Sequence, residues 1–300
     1  MTFIIQTHAL TKTYGTIQAI NHVNLEVNEG EVFGYLGPNG AGKTTTIRTL
    51  LDFIRPSSGS ASIFGLDSHR DSVEIRRRVG YLSDDVALYD RLTGSEMLIY
   101  LANLRGGVDW ALVNELSERL QCTLNQPVRS LSRGNRQKIG LVQAFMHKPE
   151  LIIMDEPSSG LDPLMQQEFY KLVEEVRNDG RTVFISSHIL PEVERVCDRV
   201  GIIRSGELVT VEEVADLKER VFHRLEFHLG EEVPIEEFVS LPSVKDVTLK
   251  NNVLQCTVEG KPDSLIKAVA RFEVVKLISH DSSLEEVFLS YYGKGEANAT

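Results

Sequence analysis

The sequence predicts an α/β protein with a small α+β domain at its C-terminal end, and three observations favour this fold class. Apolar runs typical of buried strands alternate with helical patterns up to about residue 220 of the 300-residue chain. A purely helical stretch interrupts this alternation, which predicts an inserted helical subdomain at about 85–148. After residue 220 the order becomes β-α-β-β-α-β, the pattern of a split-βαβ or ferredoxin-like domain. We therefore predict a large domain at 1–220 and an accessory domain at 221–300.

The composition argues against several classes of protein. Hydrophobic residues make up 42% of the chain and charged residues 25%, as is typical of a soluble globular protein. No apolar run approaches the roughly 20 residues that span a bilayer, and residues 1–6 lack the basic start of a signal peptide. The three cysteines are odd in number and far apart, which favours reduced thiols in a cytoplasmic protein. A net charge of −11 argues against nucleic acid as the main partner.

The first two predicted strands flank an aromatic residue. Residues 3–10 and 17–27 alternate apolar and polar side chains and are predicted to be strands. Tyr14 lies in the loop predicted between them, beside Gly15. Its ring could stack on a nucleotide base, but from the residues alone a surface turn residue is the more common case.

The strongest signal is a glycine-rich loop between a strand and a helix. Residues 32–36 are apolar and predict a buried strand, and residues 44–51 predict a helix. The segment between them fits the phosphate-binding pattern G-x-x-x-x-G-K-[ST] at every specified position. The loop and the start of the helix consist of Gly37, Pro38, Asn39, Gly40, Ala41, Gly42, Lys43, Thr44 and Thr45.

Each part of this segment has a physical reason to bind phosphate. Glycines allow backbone turns in which successive N–H groups point inward, and the helix N-terminus adds a partial positive charge. Lys43 would reach the outer phosphates, and the Thr44 hydroxyl would bind Mg²⁺. The segment therefore predicts that the chain binds a nucleoside triphosphate.

Two carboxylates follow a second buried strand. Residues 151–154 are apolar and predict a central parallel strand, which ends at Asp155 and Glu156. Because the carboxyl ends of parallel strands meet at one edge of a sheet, these carboxylates are expected beside the phosphate-binding loop. Asp155 would hold Mg²⁺, and Glu156 would polarise the water that attacks the γ-phosphate.

Two polar stretches allow more than one interpretation. Asp84 and Asp85 follow a predicted strand at 79–82 and suit either a metal site or a plain turn. The polar stretch 130–138 precedes an apolar helix at 139–146, and its serines and glycine suit either a helix cap or an anion-binding site.

The remaining elements complete both domains. His188 follows a predicted strand at 182–187; such a histidine is normally a surface residue, yet it lies at the edge where a nucleotide would bind. In the first domain the other predictions are a turn at 55–59, a strand at 61–65, a capping box at 93–96 that opens a helix, helices at 111–120, 164–177 and 191–197, a hairpin at 199–209 and a connecting helix at 210–221. In the second domain they are strands at 222–229, 244–249, 253–258 and 274–278 and helices at 235–241, 264–272 and 284–292.

The order of these motifs resembles the ATP-binding-cassette (ABC) ATPase family over about residues 3–210. Residues 131–135, Leu-Ser-Arg-Gly-Asn, stand at the place of the family's signature loop, which is usually Leu-Ser-Gly-Gly-Gln. The resemblance implies a P-loop NTPase core with an antiparallel β subdomain and the inserted helical subdomain. It also implies ATP and Mg²⁺ as cofactors, and hydrolysis of ATP.

The resemblance assigns roles to single residues. Lys43, Glu156 and His188 would be catalytic, with His188 at the γ-phosphate. Tyr14 would stack on the adenine, and Asp162 would lie in the loop that communicates across a dimer.

The signature loop and Asp84 carry the departures from the family pattern. The residues that would contact nucleotide across the dimer are Ser132, Arg133, Gly134 and Asn135, of which Arg133 and Asn135 differ from the common form. Asp84 stands where the family usually has a glutamine that couples Mg²⁺ and nucleotide to the membrane part. A carboxylate could still bind the metal, but it cannot donate a hydrogen bond when ionised.

At the level of function, the sequence looks most like the ATPase subunits of bacterial ABC exporters. Residues 186–200 and the size of the C-terminal domain carry this resemblance, which implies a second ATPase subunit, expected to be identical, and a separate membrane permease. It implies a location at the inner face of the membrane, with residues 93–100 and the surface after Asp84 forming part of the groove that receives the permease. Two alternatives are a soluble ABC ATPase acting on ribosomes or chromosomes, and a regulatory cassette that barely hydrolyses ATP.

Overall fold

A computed structural model describes residues 2–219, 222–241, 243–259 and 261–281. The chain divides into two compact units, of which the first ends at Glu212 and the second begins at Glu213. The strands that begin in the first unit are β1 (Phe3–Tyr14), β2 (Ile17–Val23), β3 (Glu26–Asn28), β4 (Val32–Leu36), β5 (Ser58–Ile63), β6 (Leu66–Asp67), β7 (Val79–Leu82), β8 (Leu151–Asp155), β9 (Thr182–Ser187), β10 (Arg199–Arg204) and β11 (Glu207–Glu213). Its helices are α1 (Lys43–Leu50), α2 (Ser72–Arg78), α3 (Gly94–Leu104), α4 (Trp110–Arg119), α5 (Arg133–Phe145), α6 (Pro163–Asn178) and α7 (Leu190–Val196).

The first unit contains two sheets. One has the order β2-β1-β5-β6 with β3 also paired to β1, and these pairs are antiparallel. The other has the order β11-β10-β4-β9-β8-β7, and the strands from β10 to β7 are parallel. Every residue of β4, β8 and β9 is buried, which is why these strands read as continuous apolar runs in the sequence. The predicted α/β fold class is confirmed.

A shared hydrophobic core fills the space between the two sheets. Leu10 and Ile20 of the antiparallel sheet belong to the same cluster as Phe33 and Phe184 of the parallel sheet. The rings of Phe33 and Phe184 stack with their centroids 5.8 Å apart. Phe33 lies opposite Phe184 in the β4–β9 pair, the two strands at whose carboxyl ends the site is built.

Helices α3, α4 and α5 form the inserted block. The predicted capping box opens α3, with the Glu96 amide donating to Thr93 Oγ1 at 3.2 Å and the Thr93 amide donating to Glu96 Oε2 at 2.8 Å. The predicted helix at 139–146 is too short, because α5 begins at Arg133. Ser132 caps it by accepting a hydrogen bond from the Asn135 amide.

Three boundary predictions near the N-terminus are wrong. The strand predicted at 17–27 is broken after Val23. There Thr7 Oγ1 donates to Val23 O and accepts from the Leu25 amide, both at 2.8 Å, while the Thr7 amide donates to Leu25 O at 2.9 Å. Tyr14 is the last residue of β1 and does not lie in the turn. Gly59 belongs to β5: a Cβ there would lie 2.2 Å from Ala9 O, so glycine permits a close approach of two strands.

The second unit is an antiparallel sheet with short helices. Its elements are α8 (Val214–Glu219), β12 (Phe222–Leu229), α9 (Glu236–Val239), β13 (Val244–Lys250), β14 (Val253–Glu259), α10 (Asp263–Val269) and β15 (Val274–Asp281). The strand order is β13-β14-β12-β15, and the core contains Phe227, Phe238, Leu254 and Leu265. The connecting helix predicted at 210–221 is shorter than expected because β11 continues to Glu213. The helix predicted at 284–292 lies outside the described residues.

Within the described part of the chain, no helix combines the length and the apolar character that crossing a bilayer requires.

Candidate active site

The candidate site lies where three neighbouring parallel strands end. In the central sheet β4 pairs with β9 and β9 with β8, so that Leu36 lies opposite Ser187 and Asp155 opposite Ser186. The phosphate-binding loop follows β4, Glu156 follows β8 and His188 follows β9. The Gly37 amide donates to Ser187 O at 3.2 Å, which ties the loop to the end of β9. The sheet therefore brings these segments to one edge, as parallel topology requires.

The phosphate-binding loop has the backbone that only glycine allows at its tightest points. Gly42 has φ 110°, and a Cβ there would lie 2.6 Å from Ala19 O. A Cβ on Gly37 would lie 2.4 Å from Ile203 O. Pro38, Asn39 and Gly40 are exposed at the tip of the loop, where phosphate oxygens could reach them.

The Lys43 ammonium lies inside this loop. Lys43 is the first residue of α1 and is buried. Its Nζ donates to Gly37 O at 2.6 Å and to Pro38 O at 3.2 Å, and it forms an ion pair of 3.1 Å with Glu156 Oε1. A buried cation at the start of a helix is well suited to bind the outer phosphates of a nucleotide.

The Thr44 hydroxyl and the Asp155 carboxylate lie next to each other. Thr44 Oγ1 donates to Asp155 Oδ2 at 2.7 Å, and the Ser186 hydroxyl donates to Asp155 Oδ1. Burial raises the pKa of Asp155 above its ordinary value; the Ser186 and Thr44 hydroxyls oppose this rise, and the charges of Glu156 and Asp84 add to it. Asp155 is thus a buried carboxylate that would be stabilised by a nearby cation.

This oxygen pair fits Mg²⁺. The described residues contain no group of three or more His, Cys, Asp or Glu side chains arranged to hold a metal by themselves. Mg²⁺ is normally bound through one or two carboxylates together with substrate phosphates and waters, so a hydroxyl and a carboxylate suffice on the protein side.

Glu156 is held between Lys43 and His188. Its Oε1 faces Lys43, and its Oε2 lies 2.7 Å from His188 Nδ1. Its backbone has φ 51°, an unusual conformation for a residue with a side chain, and its amide donates to Ser186 O and Oγ at 3.2 Å. The strained backbone and these bonds fix the carboxylate beside the phosphate-binding loop.

The predicted signature loop forms a separate group. Gly134 packs so closely on the turn after Glu156 that a Cβ would lie 2.5 Å from Gly160 O. Arg133 Nη2 donates to Ser159 Oγ at 3.0 Å and to Asp84 Oδ1 at 3.2 Å. The Asn135 side chain is buried and bonded to the backbone of Thr123, at 2.7 Å to the amide and 2.9 Å to the carbonyl. In this chain Asn135 therefore stabilises the start of α5.

Tyr14 and Asp162 lie apart from the group around Lys43. Tyr14 is 47% exposed, and Lys12 Nζ lies 5.1 Å from the centroid of its ring. Asp162 caps α6, accepting from the Leu164 and Met165 amides at 3.1 Å. Among the described residues, no hydrogen bond or ion pair connects either side chain to Lys43, Thr44, Asp155, Glu156 or His188.

Sequence reasoning missed three polar residues that support the site. Ser186 and Ser187 read as ordinary strand residues, although hydroxyls at the end of a buried strand next to carboxylates are a usable signal. Gln137 is buried and donates to Pro157 O at 3.0 Å, beside Glu156. Its position within a polar run hid the fact that it faces inward.

A P-loop fold with a carboxylate between the loop lysine and a histidine defines a nucleoside-triphosphate-hydrolysing protein. Comparison with protein families narrows this class, since the model described as "ABC transporter" matches residues 20–159. The chain is 36% identical over 304 residues to the bacitracin transport ATP-binding protein BcrA of Bacillus licheniformis, covering 98% of this chain and 99% of that protein. It is 35% identical to the probable multidrug ABC transporter ATP-binding protein YbhF of Escherichia coli, covering 72% of this chain and 38% of that protein.

Solved structures agree with this assignment. A structure of the ATP-binding subunit of an ABC transporter matches with a TM-score of 0.66 and 29% identity, covering 72% of this chain and 92% of that one. A dimeric ATP-binding cassette with bound ADP and Pi matches with a TM-score of 0.63 at 24% identity, which shows the fold alone. The chain belongs to the ABC transporter family, as an ATP-binding subunit that hydrolyses ATP in transport. The resemblance found in the sequence is confirmed.

Proposed function

We propose that this chain is the ATPase subunit of an exporter, in which two such subunits close on ATP and drive a separate membrane permease. The observation that carries the catalytic part is the Glu156 carboxylate held between Lys43, at 3.1 Å, and His188, at 2.7 Å. These three residues stand at the edge of the sheet where the phosphate-binding loop leaves β4.

Binding of ATP would change the partners of Lys43. The γ-phosphate carries more charge than a carboxylate, so its oxygens would replace Glu156 at the ammonium. Glu156 would then accept a hydrogen bond from the attacking water, while His188 stays beside it to hold its orientation. The loop amides and the start of α1 would bind the remaining phosphate oxygens.

Thr44 and Asp155 would hold Mg²⁺, with Asp84 as a further candidate oxygen donor. When bound, the ion neutralises charge on the β- and γ-phosphates. In this structure the Asp84 carboxylate is paired with Arg133, so Thr44 and Asp155 are the better-supported donors.

The signature loop supports a dimer. Ser132, Arg133 and Gly134 open the thirteen-residue helix α5, whose N-terminus can bind anions. Their described hydrogen bonds within the chain reach Ser159, Asp84 and the turn of α5, and none reaches Lys43 or Thr44. A second copy would therefore bring this helix start to the nucleotide of the first, with Asp162 at the shared face and Tyr14 against the adenine.

A cleft beside the helical block supports a permease partner. It has a volume of about 1010 Å³ and lies between α2 and the C-terminal end of α3. Leu101 and Leu104 supply apolar surface, and Arg76, Arg77 and Arg105 supply positive charge in a chain whose net charge is negative. We propose that this cleft, together with residues 93–100, receives a cytoplasmic segment of the permease, which would place the subunit at the inner face of the membrane.

An antibiotic is the first cargo to test. The relative that matches almost the whole chain is named for bacitracin transport, and another is named as a probable multidrug transporter subunit. The permease would select the cargo, since the ATPase subunit carries no cargo site in this proposal.

The test uses tagged Glu156→Gln protein in its own host, extracted with detergent in the presence of ATP. Loss of the carboxylate should leave binding intact and stop hydrolysis, which traps the closed dimer. Mass spectrometry should then find a polytopic membrane protein in a near one-to-one ratio. Recovery of ribosomal or chromosomal proteins without a membrane protein would replace the exporter proposal with a soluble ABC ATPase.

A further inference from the structure

Glu192 is a buried carboxylate that the mechanism above does not use. It lies in the first turn of α7, and only 2% of its surface is exposed. Its Oε2 accepts a hydrogen bond of 2.6 Å from Ser187 Oγ, and within the described residues its Oε1 has no hydrogen-bond partner. The Ser158 hydroxyl also stabilises the charged carboxylate. Burying a carboxylate whose support comes from two hydroxyls costs free energy, and an apolar side chain would fill this position at less cost. Its presence therefore points to a role other than stability.

Ser187, whose hydroxyl is hydrogen-bonded to Glu192, also contacts two other segments of the site. Its Oγ accepts the Ile189 amide at 3.0 Å, which closes the turn around His188. Its carbonyl accepts the Gly37 amide at 3.2 Å at the start of the phosphate-binding loop. The next residue, His188, contacts the Glu156 carboxylate at 2.7 Å through Nδ1.

A chain of contacts thus runs from Glu192 to the proposed catalytic carboxylate. Glu192 fixes the Ser187 hydroxyl, the hydroxyl fixes the turn, and the turn aims the His188 ring at Glu156. The His188 side chain is itself 46% exposed, so packing alone does not fix its orientation. The hydrogen bonds at its base have to supply that constraint.

We propose that Glu192 is a positioning residue for ATP hydrolysis, acting through Ser187 on the turn that carries His188. This inference rests on the proposed roles of Glu156 and His188. It assigns to Glu192 the orientation of the histidine and no contact with ATP.

The test compares ATP hydrolysis and nucleotide binding in full-length variants. Glu192→Ala and Ser187→Ala should each lower kcat on the order of tenfold, because a catalytic group displaced by a fraction of an ångström loses rate without losing binding. The affinity for a fluorescent ATP analogue should change by less than about threefold, since the hydrogen bonds described for the two side chains do not reach the phosphate-binding loop. Glu192→Gln keeps an oxygen acceptor for Ser187 and should recover most of the rate.

Two comparisons separate positioning from a general loss of structure. The double variant Ser187→Ala/Glu192→Ala should be no slower than the slower single variant, because both remove the same contact. Glu194→Gln, which removes a carboxylate from a partly exposed position on the same helix, should keep the wild-type kcat. Rates are expressed per nucleotide-binding site, so a partly unfolded preparation does not imitate a lower kcat.

Failure of this inference and failure of the proposed function give different results. The role of Glu192 alone is overturned by the following set of results. Ser187→Ala and Glu192→Gln both keep the wild-type kcat while Glu156→Gln is inactive, and Glu192→Ala is either fully active or does not fold. A Glu156→Gln variant that still hydrolyses ATP overturns the proposed catalytic carboxylate, and the positioning role with it.

Discussion

Arg133 forms an ion pair with Asp84, in which Nη2 lies 3.2 Å from Oδ1. The pair joins the segment after β7 to the first residue of α5, and the same guanidinium also bonds Ser159 Oγ. Both residues depart from the common ABC pattern, at two positions far apart in the sequence. The structure brings these two departures into contact, so that the carboxylate at position 84 pairs with the arginine at position 133.

The Asp84–Arg133 pair predicts that Asp84 is not required for Mg²⁺. Asp84→Asn should leave the Mg²⁺ concentration for half-maximal ATP hydrolysis within about twofold of wild type, since its carboxylate is engaged by Arg133. Asp155→Asn should raise that concentration about tenfold or more, because it removes the buried oxygen that bonds Thr44. A Mg²⁺ titration of ATPase activity measures both, and equal shifts in the two variants would make Asp84 a metal ligand.

The same pair contributes little to stability. The side chains of Arg133 and Asp84 are 68% and 48% exposed, and exposed pairs contribute under about 1 kcal/mol. Urea unfolding of Arg133→Ala should therefore give a free energy of unfolding within about 1 kcal/mol of wild type. A larger loss would show that the pair holds the helical block in place.

Substitutions of Lys43 and Glu156 are expected to affect different quantities, ATP affinity in the first case and kcat in the second. Lys43→Met should lower ATP affinity at least tenfold, since it removes the buried cation of the phosphate-binding loop. Glu156→Gln should keep ATP affinity within a few-fold and lower kcat at least about 100-fold, as expected for loss of a catalytic base. Fluorescent-nucleotide titration and single-turnover hydrolysis measure the two quantities. Weak binding in Glu156→Gln or near-normal turnover would contradict the assignment of Glu156.

Much of the fold was predictable because burial leaves a direct trace in the sequence. The strands β4, β8 and β9 are buried on both faces, so they read as apolar runs between polar loops. The start of α5 was not predictable in this way. Gln137 in this stretch is polar yet buried, because its side chain donates to a backbone carbonyl of the site. Hydropathy does not reveal such a hydrogen bond, so the polar first turns of α5 do not look like part of a buried helix.

The site was predictable where chemistry and sequence spacing coincide, and not where it depends on packing. Gly42, Lys43 and Thr44 act within one continuous motif, and Asp155 and Glu156 are adjacent at a strand end. The contact between Asp84 and Arg133 joins positions whose separation in sequence gives no sign of proximity. The inward direction of Glu192 is likewise a result of how α7 packs, since the other glutamate of this helix, Glu194, is partly exposed.

The raised pKa of Glu192 predicts that the difference in free energy of unfolding between wild type and Glu192→Gln changes with pH. Burial is the main cause of its raised pKa; the Ser187 and Ser158 hydroxyls oppose it, Glu156 adds to it and His188 opposes it. The folded protein therefore binds this proton more tightly than the unfolded chain does. Its contribution to the free energy of unfolding is largest below the ordinary pKa of 4.5 and falls as pH rises through the raised value.

Glu192→Gln removes this titration, so it should gain stability relative to wild type as pH rises above about 4.5. Urea unfolding of both proteins at several pH values measures the difference, with Glu194→Gln as the control for loss of a carboxylate on the same helix. A difference that stays constant with pH would show that Glu192 titrates alike in the folded and unfolded chains.

Leu104 tests the proposed permease surface. It lines the cleft beside α3 and is 67% exposed, so Leu104→Asp should change the free energy of unfolding by no more than about 0.5 kcal/mol. A charge in the apolar part of the cleft should nevertheless prevent co-purification of the membrane protein that Glu156→Gln captures. Val209, on β11, is also partly exposed and offers a matched control: Val209→Asp in the Glu156→Gln background should retain that protein. Equal recovery with both aspartates would place the permease on another face, because a buried contact cannot accept an unpaired carboxylate without a large loss of affinity.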